Sequence, residues 1–425
     1  MPRPRISRRA ELAPPSPIRK LEPLARAASE RGTRIYSLNI GQPDLATAPS
    51  FLDNARQEEG SVLAYGPSVG LYPLRQAYAA AYRKLGLAVE ESDVLVTTGG
   101  SEALAFAFAA VADPGGAVLT TEPCYPNYRG FAVMAGLELR ALPTSIETGF
   151  ALPGAADFEA ALDERTRAIL LCNPSNPTGA VYPPQALAEL VELARRRGLF
   201  LIADEVYREF VYDGLEPSSI LQVPGAEEVA VVVDSTSKRF SACGARVGCL
   251  LTRHGGLMDA ATRFAQARLS APVLDQKGAL AALPGLAPYV AASVSEYRRR
   301  RDVTLQELAR IPGVLAPRPQ GAFYLMARLP VDSSDDFCRW LLESFSSGGE
   351  TLMLAPGSGF YASPGRGLDE VRIAYVLEEA SLRRAIGLLG EALAAYPGRR
   401  PTEAVVSGQG GAASHPLGPP LAARE

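Results

Sequence analysis

Lysine is scarce in this chain, occurring at positions 20, 84, 238 and 277 only, while arginine is abundant. One of the four stands in the run Val231-Val-Val-Asp-Ser-Thr-Ser-Lys238-Arg-Phe-Ser-Ala-Cys-Gly-Ala-Arg246, directly after an apolar stretch of β type. A primary amine condenses with a carbonyl to form a Schiff base, and a guanidinium does not. Read alone, Lys238 is equally a solvated lysine behind a strand, so its company has to decide. Ser235 and Ser237 precede it, and Arg246, a two-pronged anion binder, follows.

Three further clusters carry chemistry. Thr97-Thr98-Gly99-Gly100-Ser101-Glu102 is a glycine turn opening a helix, where free N–H groups and the positive end of the helix dipole suit a phosphate. The same residues also make an ordinary helix start. Asn173-Pro-Ser-Asn176-Pro-Thr-Gly179 is a turn in which prolines fix the backbone around an amide. Ala203-Asp204-Glu205-Val206-Tyr207 puts a carboxylate at the end of an apolar strand, a costly place without a cationic partner, with a phenol three residues on.

These clusters must be positioned by elements that the sequence also outlines. Short β-branched runs at 93–97, 117–120, 167–172, 199–203, 229–234 and 249–252 alternate with helical patterns at 101–112, 125–135, 184–197 and 256–268. That alternation predicts an α/β domain with a mostly parallel sheet covered on both faces, whose ligands gather at the carboxyl ends of the strands. After about residue 290 the pattern changes to a charged helix at 293–310, a strand at 321–327, a helix at 334–344, a strand at 371–376 and a helix at 379–396. This reads as a second, smaller α+β domain. The expected division is a flexible tail over 1–15, an N-terminal segment over 16–50 packing with the small domain, a large domain over 51–290, the small domain over 291–397 and a disordered tail over 398–425.

Composition narrows the function. At 425 residues, 47% hydrophobic and net charge −3, the chain can bury a large core and has no overall basic field for nucleic acid or anionic lipid. Five scattered cysteines without metal-type spacing and two isolated histidines, His254 and His415, point away from disulfides, zinc and histidine-based triads. No apolar run is expected to reach the length of a spanning helix, and the N-terminal arginines have no apolar stretch behind them, so a cytoplasmic setting and no membrane are expected.

A reactive amine, a phosphate cradle, a buried carboxylate, a phenol, an amide and an arginine, all at strand ends, together match what pyridoxal 5'-phosphate needs. From about Leu38 to Tyr396 the sequence resembles the class I/II aminotransferases, aspartate aminotransferase-like enzymes of PLP-dependent fold type I. The resemblance implies that Lys238 forms the cofactor aldimine, Asp204 pairs with the pyridine nitrogen, and Tyr207 and Asn176 bond the ring O3′. It implies that Gly100, Ser101, the Glu102 amide, Ser235 and Arg246 hold the phosphate, with Ser237 nearby, and that Tyr125 stacks on the ring. Tyr65 would reach the phosphate of a neighbouring subunit, implying a homodimer with shared active sites. Gly41 would let the backbone approach the substrate carboxylate, Arg372 would grip that carboxylate, and Arg268 is a candidate distal contact, from this subunit or from its partner.

The activity implied is transfer of an amino group between an L-amino acid and a 2-oxo acid, 2-oxoglutarate by family habit, through a ping-pong aldimine/ketimine mechanism. Lyases such as aminocyclopropanecarboxylate synthase and some oxidases share the lysine, aspartate and arginine and form the alternative. A DNA-reading regulator with a related sensor domain would need a winged helix ahead of Leu38, where the preceding segment is short, so no nucleic-acid partner is expected.

Overall fold

The computed structural model describes residues 4–56 and 62–401. Its strands, in chain order, are β1 (Arg34–Ser37), β2 (Val94–Thr97), β3 (Ala117–Glu122), β4 (Glu138–Pro143), β5 (Thr166–Cys172), β6 (Phe200–Asp204), β7 (Ala230–Ser235), β8 (Gly248–Leu251), β9 (Tyr324–Arg328), β10 (Glu350–Met353), β11 (Ala355–Pro356) and β12 (Glu370–Ala374). β2 to β8 form one seven-stranded sheet in the order β2-β8-β7-β6-β5-β3-β4. β8 runs antiparallel to both neighbours, and the other pairs are parallel.

Strands β2, β3, β7 and β8 are buried along their whole length because helices cover both sheet faces, as parallel sheets require. On one face lie Gly99–Val111 and Gly255–Arg268, and on the other Tyr72–Arg83 and Pro184–Arg197. The apolar periods of these helices each supply one of two cores that the sheet separates. The register sets Asp204 opposite both Cys172 on β5 and Val233 on β7. The carboxyl ends of β5, β6 and β7 therefore open side by side, and the chain segments leaving them carry Asn176, Asp204 and Lys238.

Beyond residue 290, β9, β11 and β12 make an antiparallel sheet, and β10 pairs in parallel with β1. The N-terminal strand is thus woven into the smaller part of the molecule, with Leu38 N–H donating to the Met353 carbonyl.

The six strands expected in the large sheet are present, and Pro184–Arg197 forms the expected helix. The additional strand β4, at the sheet edge, was hidden because Glu138-Leu-Arg-Ala-Leu-Pro mixes charge with half-buried apolar residues. Within the segment 1–15, Arg8–Leu12 is a helical turn capped by Ser7, and Arg9 donates to the Met134 carbonyl. The reason is local, since Ser7 and Glu11 supply the cap and the first-turn acid. Residues 402–425, most of the expected C-terminal tail, lie outside the described residues. Arg399 and Arg400 before them pack back on Val331 and Pro330.

The expectation of no long apolar run also needs correction. By length and composition the helical stretch Val273–Leu308 is long and apolar enough to cross a membrane. Pro284 and Pro288 masked that run in the sequence. The chain breaks at Leu283–Gly285 into two helices, Val273–Ala282 and Leu286–Leu308, which bury Gln276, Ala279, Ala282, Ser293 and Tyr297 among other residues.

Candidate active site

A cleft of about 520 Å³ opens where the strand ends meet the small sheet. Lys238 enters from a one-turn helix, Thr236–Arg239, that follows β7 directly. Ser235 caps this turn, its Oγ accepting from the Ser237 amide at 3.1 Å, which fixes the direction in which Lys238 leaves the backbone. Lys238 Nζ donates to the Gly41 carbonyl at 2.9 Å and lies 3.6 Å from Cys243 Sγ. Gly41 must be glycine, because a Cβ there would overlap the Tyr324 hydroxyl.

Asp204 is 4% exposed at the end of β6. Burial pushes its carboxyl up to about 6, while the Tyr128 hydroxyl, donating to Oδ2 at 2.6 Å, the Val206 amide and the Lys238 charge pull the other way. Tyr207, also buried, meets the Tyr324 hydroxyl at 2.8 Å, and burial holds its phenol well above the usual range. Tyr125 accepts from Asn127 at 2.8 Å and meets the Tyr128 ring edge-on.

At one end of the cleft the helix Gly99–Val111 begins with no side-chain cap, so its first N–H groups are left for something else to bond. Ser101, Ser235, Ser237 and Arg246 converge there. Arg246 sits at φ +57° and is held by the carbonyls of Cys243 at 3.0 Å and Thr98 at 3.5 Å. Gly99, at φ +71°, leaves the space its guanidinium occupies, which a Cβ would fill. Unpaired N–H groups, hydroxyls and a fixed guanidinium around one gap can bind a dianion.

At the other end Arg372 is 1% exposed on β12. Its Nη1 donates to Asn176 Oδ1 at 3.0 Å, its Nη2 to the Asn39 carbonyl, and its Nε is buried with no partner. Tyr324 and Phe360 lie under the guanidinium at 4.5 and 4.9 Å. A buried guanidinium with a free donor is suited to a planar carboxylate.

Of the residues singled out from the sequence, Gly41, Gly100, Ser101, Tyr125, Asn176, Asp204, Tyr207, Ser235, Ser237, Lys238, Arg246 and Arg372 line this cleft. Tyr65, Glu102 and Arg268 do not. The Glu102 carboxylate turns back to the Thr98 amide at 2.8 Å and to Arg268 Nε at 3.4 Å. Arg268 Nη2 donates to the Val96 and Ser68 carbonyls, while its Nη1 is buried without a hydrogen-bond partner. It lines a separate pocket of about 740 Å³ with Tyr65, which is 82% exposed.

Sequence reasoning missed Tyr128, Tyr324 and Cys243. Tyr128 was visible as the second aromatic of Tyr125-Pro-Asn-Tyr128, and Tyr324 as the aromatic pair with Phe323 at the start of β9, but neither run announces its distant partner.

Residues 33–389 match the family Aminotransferase class I and II. The chain is 35% identical over 378 residues to a putative aminotransferase, YugH, of Bacillus subtilis, covering 88% of this chain and 94% of that one. It is 31% identical to the aspartate/prephenate aminotransferase of Thermus thermophilus, covering 90% and 97%. Among solved structures, the aspartate aminotransferase of Thermus thermophilus with maleate superposes with a TM-score of 0.82 at 29% identity, over 92% of this chain and all of that one.

Proposed function

The chain belongs to the class I and II aminotransferases, of fold type I, and we propose that it moves an amino group between an L-amino acid and a 2-oxo acid, with 2-oxoglutarate as acceptor, in two alternating half-reactions. The observation that carries the proposal is the meeting of one amine, Lys238 Nζ, with the buried Asp204 carboxylate and the buried Arg372 guanidinium in a single cleft.

Pyridoxal 5'-phosphate fits the residues present. The uncapped helix start, the glycine space beside Arg246 and the hydroxyls of Ser101, Ser235 and Ser237 would hold its phosphate. Gly100 and the Glu102 amide belong to the same turn. Asp204 would pair with the ring nitrogen, Tyr207 and Asn176 with the ring oxygen, and Tyr125 would stack on the ring. When bound, the cofactor supplies an aldehyde for Lys238 and a ring that withdraws electrons from a neighbouring carbon.

The chain's own residues then do the rest. Arg372 grips the amino-acid carboxylate, with Gly41 giving it room and Asn176 setting the guanidinium plane. With the cofactor in place, Lys238 Nζ would be the amine placed to take the Cα proton of the substrate and to give it back, acting as base and then acid. Asp204, whose carboxyl ionises above about 6, would set a negative charge opposite a protonated ring nitrogen. The buried aromatic floor of Tyr207, Phe323 and Tyr324 keeps water from the proton in transit.

A homodimer with shared sites, a cytoplasmic setting and a biosynthetic role in amino-acid metabolism belong to the same proposal. The exposed Val62, Leu63 and Tyr65 beside the half-open Val273–Leu308 stretch support a partner there, with Tyr65 and Arg268 facing its site. The division into segments 16–50, 51–290 and 291–397 is likewise proposed, supported by the β1–β10 pairing.

The test is a visible spectrum of the purified protein with pyridoxal phosphate, followed by a panel of amino donors with 2-oxoglutarate. Conversion of the cofactor to its aminated form by single amino acids supports transamination. Ammonia release without that conversion would assign the lyase alternative instead.

A further inference from the structure

We infer that Tyr128 is a positioning residue that orients Asp204 and Tyr125 together, so that one side chain sets two walls of the cofactor cleft. The inference rests on the cofactor reading above. Tyr128 stands in the first turn of the helix Asn127–Ala135 and is 1% exposed. Its hydroxyl donates to Asp204 Oδ2 at 2.6 Å, and its ring meets that of Tyr125 edge-on, with centroids 5.4 Å apart and planes at 87°.

Both contacts have one-sided chemistry. Burial beside a carboxylate holds the Tyr128 phenol well above its usual range, so it stays protonated and always donates. Among the described residues it is the one side chain donating to Asp204, whose Oδ1 has the Val206 amide at 3.3 Å. The other groups facing Asp204 are Cys172 across the β5–β6 register, Asp234 on β7 and Lys238 after it. Asp234 favours the protonated carboxyl, while Lys238 and Tyr128 favour the ionised form. Without the phenol, Asp204 would keep its proton to higher pH, and a ring nitrogen facing it would carry less positive charge. The edge-on contact adds orientation to Tyr125, since offset and edge-to-face pairs hold ring planes relative to one another.

Tyr128→Phe removes one oxygen and leaves the ring. In cofactor-free protein carrying ¹³C-carboxyl aspartate, the NMR titration of Asp204, identified by its loss in Asp204→Asn, should move up by about one pH unit. In loaded protein the pH midpoint of the lysine-linked chromophore should rise by about half a unit or more, and kcat of the amino-acid half-reaction should fall about tenfold with KM altered less than about twofold. In an Asp204→Asn background the same change should leave the chromophore midpoint where it was. If Tyr128→Phe does not fold, replacement of the tyrosines by 3-fluorotyrosine keeps the ring, strengthens the donor and should move the Asp204 titration down. An Asp204 titration that does not respond to the change at position 128 overturns the inference. A wild-type protein without a lysine-linked chromophore overturns the cofactor reading instead, and the cofactor-free titration still judges Tyr128.

Discussion

The cleft has two anion-binding ends, each built on an arginine, and they are built by opposite means. Arg246 is half-buried, takes its shape from backbone carbonyls and sits in space that Gly99 leaves open. Arg372 is fully buried, braced by Asn176, the Asn39 carbonyl and two aromatic faces, and keeps one donor unpaired. Burial lowers the proton affinity of Arg372 below the usual arginine range, so an anion arriving there is met by a charge that little else neutralises. The difference fits the two guests. A cofactor phosphate that stays bound suits a cradle of many shared donors, and a carboxylate that must come and go suits one strong, dry contact.

Breaking the buried end should have the largest effect. Arg372→Ala should lower kcat/KM for the amino acid by about a thousandfold, since truncating one member of a buried charge pair costs about 2–5 kcal/mol. Steady-state kinetics on one donor measures it, with the pH midpoint of the cofactor unchanged. Arg372→Lys should recover little of the loss, because an ammonium cannot reproduce the fork. A variant with near wild-type kcat/KM would remove Arg372 from the substrate site.

The half-buried end should break more gently. Arg246→Ala should weaken pyridoxal phosphate binding by about 10- to 100-fold, as expected for a charge-assisted hydrogen bond among several. Equilibrium dialysis reads the effect, which should shrink when measured at saturating cofactor. Gly99→Ala tests the same end without touching charge: a Cβ at φ +71° against the Arg246 guanidinium should cost about tenfold in cofactor affinity. If Gly99→Ala binds cofactor normally, the glycine space is not part of the cradle.

Between the two ends, Asp204 offers the smallest and most selective effect. Its folded carboxyl titrates near 6, above the usual 3.8, so the folded protein binds this proton more tightly than the unfolded chain does. Ionised Asp204 is therefore a cost to the cofactor-free fold at neutral pH, and the cost disappears as pH falls through about 6 toward 3.8. Asp204→Asn should raise the melting temperature of cofactor-free protein at pH 8 by about 2 °C, and the gain should shrink as pH falls below about 6 and vanish toward 3.8. Cofactor should reverse the order, stabilising wild type more than the variant.

The same contrast governs how much of the site was legible in the sequence. The phosphate end is local: Gly99, Gly100, Ser101 and the stretch from Ser235 to Arg246 are short motifs whose spacing carries their geometry. The strands that present them are apolar runs bounded by turns, so the large sheet was legible too. Arg372 was named only through a family resemblance, because its partners Asn39, Asn176 and Tyr324 are far away in sequence and meet it only after folding. Tyr128 and Tyr324 were missed for the same reason, a buried tyrosine being ordinary core until its hydroxyl finds a partner. Arg268, the last residue of the helix Gly255–Arg268, lies beside Glu102 and Val96 and outside this cleft, so a distal contact from it would have to be made in a partner's site.

The central claim is that one of four lysines is the cofactor's covalent partner. Incubation with pyridoxal phosphate, reduction with borohydride and peptide mass mapping should place a single pyridoxyl group on Lys238, with Lys20, Lys84 and Lys277 unmodified. A label on any of those three in place of Lys238, or no label at all, would contradict the account.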